Sequence, residues 1–273
     1  MHTIKAALEE LMTGMDRVDA QVIVSHVLGV NRAYLAANPM RILTETEDAK
    51  IDMLAAQRAM GAPVAYLLRS REFYGREFEV TPAVLIPRPE TETLIEAALA
   101  RLAPRASILE LGTGSGAIAV TLAAQRPEAS VVATDASEHA LAVARANAAR
   151  HGCAERIAFL NGSWYEPVDD RRFDLVVSNP PYVAGAAPPL ARGDLRFEPP
   201  QALTDGSADG LDSIRAIVRG APPHLTRGGW LLFEHGYDQA PAARRLLEAA
   251  GFRDIVSLDD LAGIPRVAGG KIT

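Results

Sequence analysis

Apolar residues along this chain follow two rhythms, and the change between them falls near residue 70. Up to residue 60 the spacing is helical. Ile4, Leu8, Leu11 and Met12 share one face, a second periodic run covers Asp19 to Leu28 and stops at Gly29, and a third covers Thr44 to Met60. Thr44 stands at the N-cap of the third run with Glu47 three residues later, the spacing of a capping box. A small all-helical unit of this kind suits either a partner-binding module or a plain cap on a larger domain.

From Arg71 to Leu85 short alternating runs flank Gly75, which predicts a β-hairpin. The stretch Ile86 to Glu92 then breaks regularity, and Pro89 suits the first turn of a helix. Beyond it, strands near 107–111, 130–134, 156–160, 173–178, 229–234 and 253–257 alternate with helices near 90–103, 116–126, 137–150, 210–221 and 238–250. That alternation predicts an α/β fold: a doubly wound, mostly parallel sheet with helices on both faces. A seventh strand near 266–269 follows a turn and is expected antiparallel at the far end of the sheet. Segment 183–209, rich in Pro, Gly, Ala and Asp, has no periodicity, and loops of that length are usually functional or mobile. The expected domains are 1–70, helical; 71–88, a hairpin linker; and 89–273, the α/β domain.

Composition narrows the class. Hydrophobic content of 48% and charged content of 23% over 273 residues are those of a soluble globular protein. No apolar run approaches the ~18 residues of a membrane span, and Glu9 and Glu10 interrupt the place where a secretory signal would lie. The single cysteine, Cys153, forms neither an internal disulfide nor a cysteine zinc site, which fits a cytoplasmic protein without a metal. Beside His151 and Gly152 it looks like a helix end rather than a nucleophile's setting. With 28 basic against 34 acidic residues the net charge is -6, whereas a protein that holds duplex DNA non-specifically usually carries a basic excess.

Three stretches carry chemistry. Ile108 to Leu111 runs as a strand into Gly112, Thr113, Gly114, Ser115 and Gly116, after which Ala117 opens a helix. Such glycines let a ligand approach the backbone closely. The spacing is not that of dinucleotide binders, no Gly-Lys-Ser/Thr follows to hold a triphosphate, and Glu110 would repel a pyrophosphate while accepting from an ammonium group. The second strand ends in Asp135, 23 residues after Gly112, which is suited to accept from two ribose hydroxyls; N-capping the next helix is the competing role, shared with Ser137. A nucleoside with a cationic, amino-acid-like tail satisfies both features, and S-adenosylmethionine is such a molecule. Trp164 either walls the adenine or fills the core.

The third stretch is Asn179, Pro180, Pro181 and Tyr182, directly after the buried strand Phe173 to Ser178. The prolines stop the strand because they donate no ladder hydrogen bond. The Asn179 side-chain carbonyl and the Pro180 carbonyl each suit one hydrogen of a substrate NH2, with Tyr182 packed on its planar group. Holding both hydrogens directs the nitrogen lone pair at a methyl donor. Arg88, in the rigid turn before the first α/β helix, is either an ordinary linker charge or a further candidate substrate contact. A glutamine amide and an adenine amine both fit, so the alternative to a protein methyltransferase is one acting on DNA or RNA adenine.

These residues resemble the class I S-adenosylmethionine-dependent methyltransferases and, more closely, the HemK/PrmC family, which methylates the glutamine of the Gly-Gly-Gln motif in peptide chain release factors. The likeness is carried by Arg71 to Gly75, Leu85 to Glu92, Leu111 to Gly116, Val177 to Tyr182, Gly193 to Pro199, Ala202 with Leu203, Asp209 to Asp212, and Phe233 to Gly236. It implies cofactor contacts at Gly112 to Gly116, Asp135, Trp164 and Asn179, a substrate glutamine held by Asn179 to Tyr182, and release factor contact by the N-terminal helices. Two departures stand out. Arg69-Ser70 replaces the usual Gly-Glu ahead of the hairpin, and Arg266 to Lys271 is less apolar than usual, which is expected to weaken an edge strand.

Overall fold

The computed structural model describes residues 2–187 and 193–273, so part of the expected 183–209 loop lies outside the described residues. The chain divides into two compact units, Met1–Ser70 with Gly193–Phe197, and Arg71–Arg192 with Glu198–Thr273.

The first unit holds α1 (Ile4–Leu11), α2 (Arg17–Leu28), α3 (Arg32–Ala37), α4 (Glu45–Ala59) and α5 (Val64–Leu68). Thr3, Asp16, Asn31 and Thr44 cap the first four through side-chain oxygens. The expected capping box is formed: Glu47 N–H donates to Thr44 Oγ1 at 3.2 Å, and Thr44 N–H donates to Glu47 Oε2 at 2.9 Å. Ile4, Leu11, Val24, Leu35, Leu43 and Ile51 fill its core. α3 and α5 go beyond the sequence reading, because six and five residues are too few for a period to show. A 3₁₀ turn at Gly193–Phe197 also joins this unit, where Arg58 bridges Asp19 and Asp194, each at 2.8 Å. By sequence those residues belong to a loop of the α/β domain; the pairing is far apart along the chain and leaves no local pattern.

A hairpin of β1 (Ser70–Phe73) and β2 (Arg76–Glu79), all but its first residue in the second unit, ends well short of the expected Leu85. A 3₁₀ turn at Pro89–Thr91 then leads into α6 (Glu92–Leu99). The alternating part follows as β3 (Ser107–Leu111), α7 (Ala117–Gln125), β4 (Ser130–Asp135), α8 (Glu138–Arg150), β5 (Ile157–Asn161) and β6 (Phe173–Ser178). After a short α9 (Pro200–Leu203) come α10 (Asp212–Gly220), β7 (Leu225–Glu234), α11 (Ala240–Ala249), β8 (Arg253–Asp259) and β9 (Pro265–Lys271). The seven-stranded sheet has the order β5-β4-β3-β6-β7-β9-β8, parallel except for β9. Runs such as Leu175–Val177 and Leu231–Phe233 are buried on both sides, as strands of a covered parallel sheet must be. Cys153 lies just past α8, 1% exposed in the core.

One expectation is corrected. β9 is antiparallel, but it lies between β7 and β8, and β8 forms the edge. The glycines that make 266–271 look weak are what an interior strand needs here: a Cβ on Gly269 would collide with the Leu231 carbonyl, and one on Gly270 would meet Phe252 Cβ at 2.8 Å.

The strand order carries the functional consequence. The chain lays β4 and β5 outward from β3, then returns to place β6 on the other side of β3. The carboxyl ends of β3 and β6 therefore flank the switch point, where open α/β sheets form a ligand crevice. Gly112, Gly114 and Gly116 turn β3 into α7 with φ of 72°, 55° and 79°. Gly116 is pressed onto α8, where an added Cβ would lie 3.1 Å from Ala144 Cβ. Gly116→Ala should therefore lose roughly 1–2 kcal/mol from the left-handed backbone alone, with more from that contact, read as a lower urea midpoint. An unchanged midpoint would contradict the packing.

Candidate functional site

A cavity of about 370 Å³ opens at this switch point, within the span of roughly 300–1,000 Å³ typical of small-molecule clefts. Gly112, Thr113, Gly114 and Ser115 form one wall, with Asp135 and Trp164 beside them, and Arg88, Asn179 and Pro181 another. The side chains of Pro180 and Tyr182 do not line the cavity, and neither does Gly116. Gly116 packs on α8, Pro180 is buried, and the Tyr182 ring joins the core cluster under β6 and β7.

Asp135 is held by the loop it faces. Its Oδ2 accepts from Gly114 N–H at 2.9 Å and its Oδ1 from Ser137 N–H at 2.9 Å. Ser137 does the N-capping of α8, accepting from Ala140 N–H at 3.2 Å, so that competing role does not fall to Asp135. Each Asp135 oxygen keeps a lone pair for a further donor. Burial raises its pKa, and the two backbone donors pull it back.

Glu110 is more deeply enclosed than a free ammonium acceptor would be. Its Oε2 accepts from Thr113 Oγ1 at 2.6 Å and from Ala119 N–H at 3.0 Å, which ties β3, the glycine loop and α7 together. Burial pushes its carboxyl up to about 8, against those two hydrogen bonds. It still borders the cavity. Trp164 stands at the boundary between core and cavity. Its ring packs on the core and lines the cavity, and its carbonyl accepts from Thr134 Oγ1 at 3.0 Å, pinning a backbone with φ of 47°.

The Asn179 amide donates from Nδ2 to Thr91 Oγ1 at 3.1 Å. Thr91 Oγ1 in turn donates to Glu234 Oε2 at 2.6 Å, and Tyr182 Oη donates to Glu234 Oε1 at 2.9 Å. Burial and the Glu234 charge both raise the Tyr182 phenol, so it stays protonated. Backbone support comes from Gln239, whose Nε2 donates to the Tyr182 carbonyl at 3.0 Å. Arg88 pairs with the buried carboxylate of Glu198, which also accepts from Ile86 N–H at 3.1 Å.

Thr91, Glu198, Glu234 and Gln239 escaped the sequence reading as site residues. One signal was present: Glu234 is a lone acid closing the apolar strand Trp230–Phe233, and a charge at the end of a buried strand has to have partners.

The donor set suits S-adenosylmethionine better than a phosphate ligand. Arg88 is the one basic side chain on the wall among the described residues, and it is already paired; Glu110 and Asp135 are both acidic. Gly114 has open space where a Cβ would stand, leaving its backbone accessible. Among the described residues no group of three or more His, Cys, Asp or Glu is gathered as for a metal, and no helix is long and apolar enough to cross a membrane.

Residues 1–68 match the PrmC N-terminal domain and residues 90–192 the methyltransferase small domain. The release factor glutamine methyltransferase of Bordetella pertussis is 52% identical over 265 residues, covering 95% of this chain and 96% of its own. That of Xylella fastidiosa is 48% identical over 259 residues, covering 94% of each. Among solved structures, the hMettl16 catalytic domain in complex with a MAT2A 3′UTR hairpin superposes with a TM-score of 0.60 at 16% identity, over 81% of this chain and 82% of that one, a likeness of fold alone. With sequence identity spread over both units and the cavity at the switch point, the chain belongs to the release factor glutamine methyltransferase family.

Proposed function

We propose that this protein transfers a methyl group from S-adenosylmethionine to the side-chain amide nitrogen of the glutamine in the Gly-Gly-Gln motif of peptide chain release factors. The observation that carries the chemistry is the Asn179 amide, whose nitrogen is committed to Thr91 and whose oxygen is left to accept from a substrate NH2. The identity of that NH2 as a glutamine rests on the relatives.

The bound cofactor supplies a methyl group made electrophilic by its sulfonium. Gly112 to Ser115 and Asp135 hold the nucleoside, the loop by close backbone approach and Asp135 by accepting from the ribose hydroxyls, while Gly116 turns the loop into α7. Trp164 bounds the adenine side. Asn179 Oδ1 and the Pro180 carbonyl accept the two hydrogens of the glutamine amide, which directs its lone pair and favours a nitrogen bent out of conjugation. Pro180 and Pro181 keep this array rigid, and Tyr182 supports it from the core. No strong base is required before attack, because a neutral thioether leaves; the surplus proton passes to water once the nitrogen carries the methyl. Arg88 faces the substrate side with its charge balanced by Glu198.

Residues 1–70 serve in this reading as the release factor recognition domain, 71–88 as the linker and 89–273 as the methyltransferase domain. Release factors act in the cytoplasm, which the single cysteine suits. The net charge of -6 argues against nucleic acid as a direct partner.

A release factor incubated with methyl-labelled S-adenosylmethionine should gain one methyl on the Gly-Gly-Gln glutamine by peptide mass spectrometry. Label appearing in DNA or RNA and not in the release factor would establish the adenine alternative instead. Asn179→Ala should lower kcat on the order of 10²-fold, as loss of an orienting contact does, while the cofactor dissociation constant changes little. An equal loss in both would contradict the orienting role.

The Glu110 carboxyl gives a pH dependence with a definite sign. It is neutral below about 8 in the free protein, and a cationic ligand beside it favours the carboxylate. Binding should therefore release a proton, and affinity should rise as pH climbs from about 6 to 8. Calorimetry in buffers of different ionisation enthalpy measures the release, and proton uptake would rule out a cation at Glu110.

A further inference from the structure

Nothing in the proposed chemistry requires a buried acid at the end of β7, yet Glu234 is 1% exposed there and forms no ion pair among the described residues. A carboxylate in that position is costly unless its oxygens are hydrogen-bonded. Both are, and both bonds come from the segments that line or follow the proposed amide site. We infer that Glu234 is a positioning residue for methyl transfer, fixing through Thr91 which atom of the Asn179 amide faces the substrate. The inference rests on the reading of Asn179 as the group that accepts from the substrate NH2.

The argument is one of hydrogen-bond polarity. The two ends of an asparagine amide have nearly the same shape and opposite character, so a partner must decide which points outward. Thr91 carries a single hydroxyl proton, and at 2.6 Å from Glu234 Oε2 that proton is committed to the carboxylate. Toward Asn179 the hydroxyl can then only accept, and it does so from Nδ2 at 3.1 Å. A flipped amide would set Asn179 Oδ1 against Thr91 Oγ1 with no proton between them. Two acceptors facing each other at a site where Thr91 is only 3% exposed would be unfavourable. Oδ1 is thereby kept on the side away from Thr91.

The same carboxylate reaches Tyr182. Its Oε1 accepts from the Tyr182 hydroxyl, three residues after Asn179. The two prolines between them lack N–H donors, so side chains have to fix this segment where a backbone ladder cannot. Register explains why Glu234 is the residue that does it. Ser178 pairs with Phe233 in the parallel ladder, so Asn179 and Glu234 are the next residues out on neighbouring strands. Thr91 arrives from the turn ahead of α6 and closes the gap between them.

Two near-isosteric changes test this. Thr91→Val keeps the shape of the cavity wall and removes the relay, whereas Thr91→Ser keeps the hydroxyl. Glu234→Gln keeps the volume but puts an NH2 where one hydroxyl needs an acceptor. Thr91→Val and Glu234→Gln should each lower kcat on the order of 10²-fold through misorientation, with the release factor KM and the cofactor dissociation constant little changed, the split expected of an interaction used in the transition state. Thr91→Ser should restore most of kcat. A thermal melt of each variant identifies any that fail to fold.

The second readout needs neither cofactor nor substrate. In protein labelled with 15N-asparagine, the Asn179 side-chain NH2, assigned by its absence in Asn179→Ala, should exchange slowly with solvent in wild type and Thr91→Ser. It should exchange rapidly in Thr91→Val and Glu234→Gln. Equal protection in all of them, or full kcat in folded Thr91→Val, overturns the inference. Protection that is lost as expected in a wild-type protein unable to methylate any release factor supports the latch and overturns the substrate assignment instead.

Discussion

The pairing of β6 against β3 is the constraint on which the site depends. It brings together two strand ends that the sequence separates by more than sixty residues, the first entering the glycine loop and the second entering Asn179. Ser178 Oγ donates to the Leu111 carbonyl at 2.8 Å, locking the last residue of one strand to the last of the other. Without that lock the loop and the Asn179 segment would still be well-formed pieces, but they would not share a cavity. A parallel sheet reaches this geometry only because the chain reverses its order of laying down strands beside β3, and the crevice follows from that reversal.

Around the crevice, buried carboxylates do the tethering. Glu110 gathers Thr113 and Ala119, Glu198 gathers Ile86 and Arg88, and Glu234 gathers Thr91 and Tyr182. Each is 2% exposed or less, and each draws donors from a segment that carries no regular ladder of its own. A carboxyl group offers acceptor lone pairs in more than one direction, so one residue can close two gaps. Desolvation works against this arrangement and raises the pKa of Glu110 and Glu234 alike, which their hydrogen bonds oppose. A wall on which Arg88, the one basic group among the described residues, is already paired with Glu198 favours a cation over a phosphate.

Much of this was legible in the sequence for definable reasons. Strand and helix alternate from residue 107 onward with enough periodicity that each main element falls within a few residues of its observed place. The capping box at Thr44 is local chemistry and survives unchanged. What escaped was long-range or short. α3 and α5 are too brief to show a period, Gly193–Phe197 joins the helical unit through an ion pair between Arg58 and Asp194, and β9 enters between β7 and β8 because two glycines allow close contact. The same limit applies to the site. Gly112, Gly114 and Asp135 announce themselves by type and spacing, whereas Thr91 and Glu234 acquire a role only when three distant segments meet.

The Asn179 segment itself has changed meaning. As a string of four residues it describes a rigid acceptor array for any planar NH2, and by that measure glutamine and adenine are equal. In the fold it is a segment whose outward atom is set from behind, by an acid that does not line the cavity. An amide is the harder of the two nucleophiles, because its lone pair is delocalised into the adjacent carbonyl. Orientation therefore has to do more of the work, and an acceptor that wandered between two amide rotamers would forfeit it. A latch that removes one rotamer is the kind of device such a substrate demands, which makes the buried acid of β7 part of the explanation for how an unreactive side chain can be methylated.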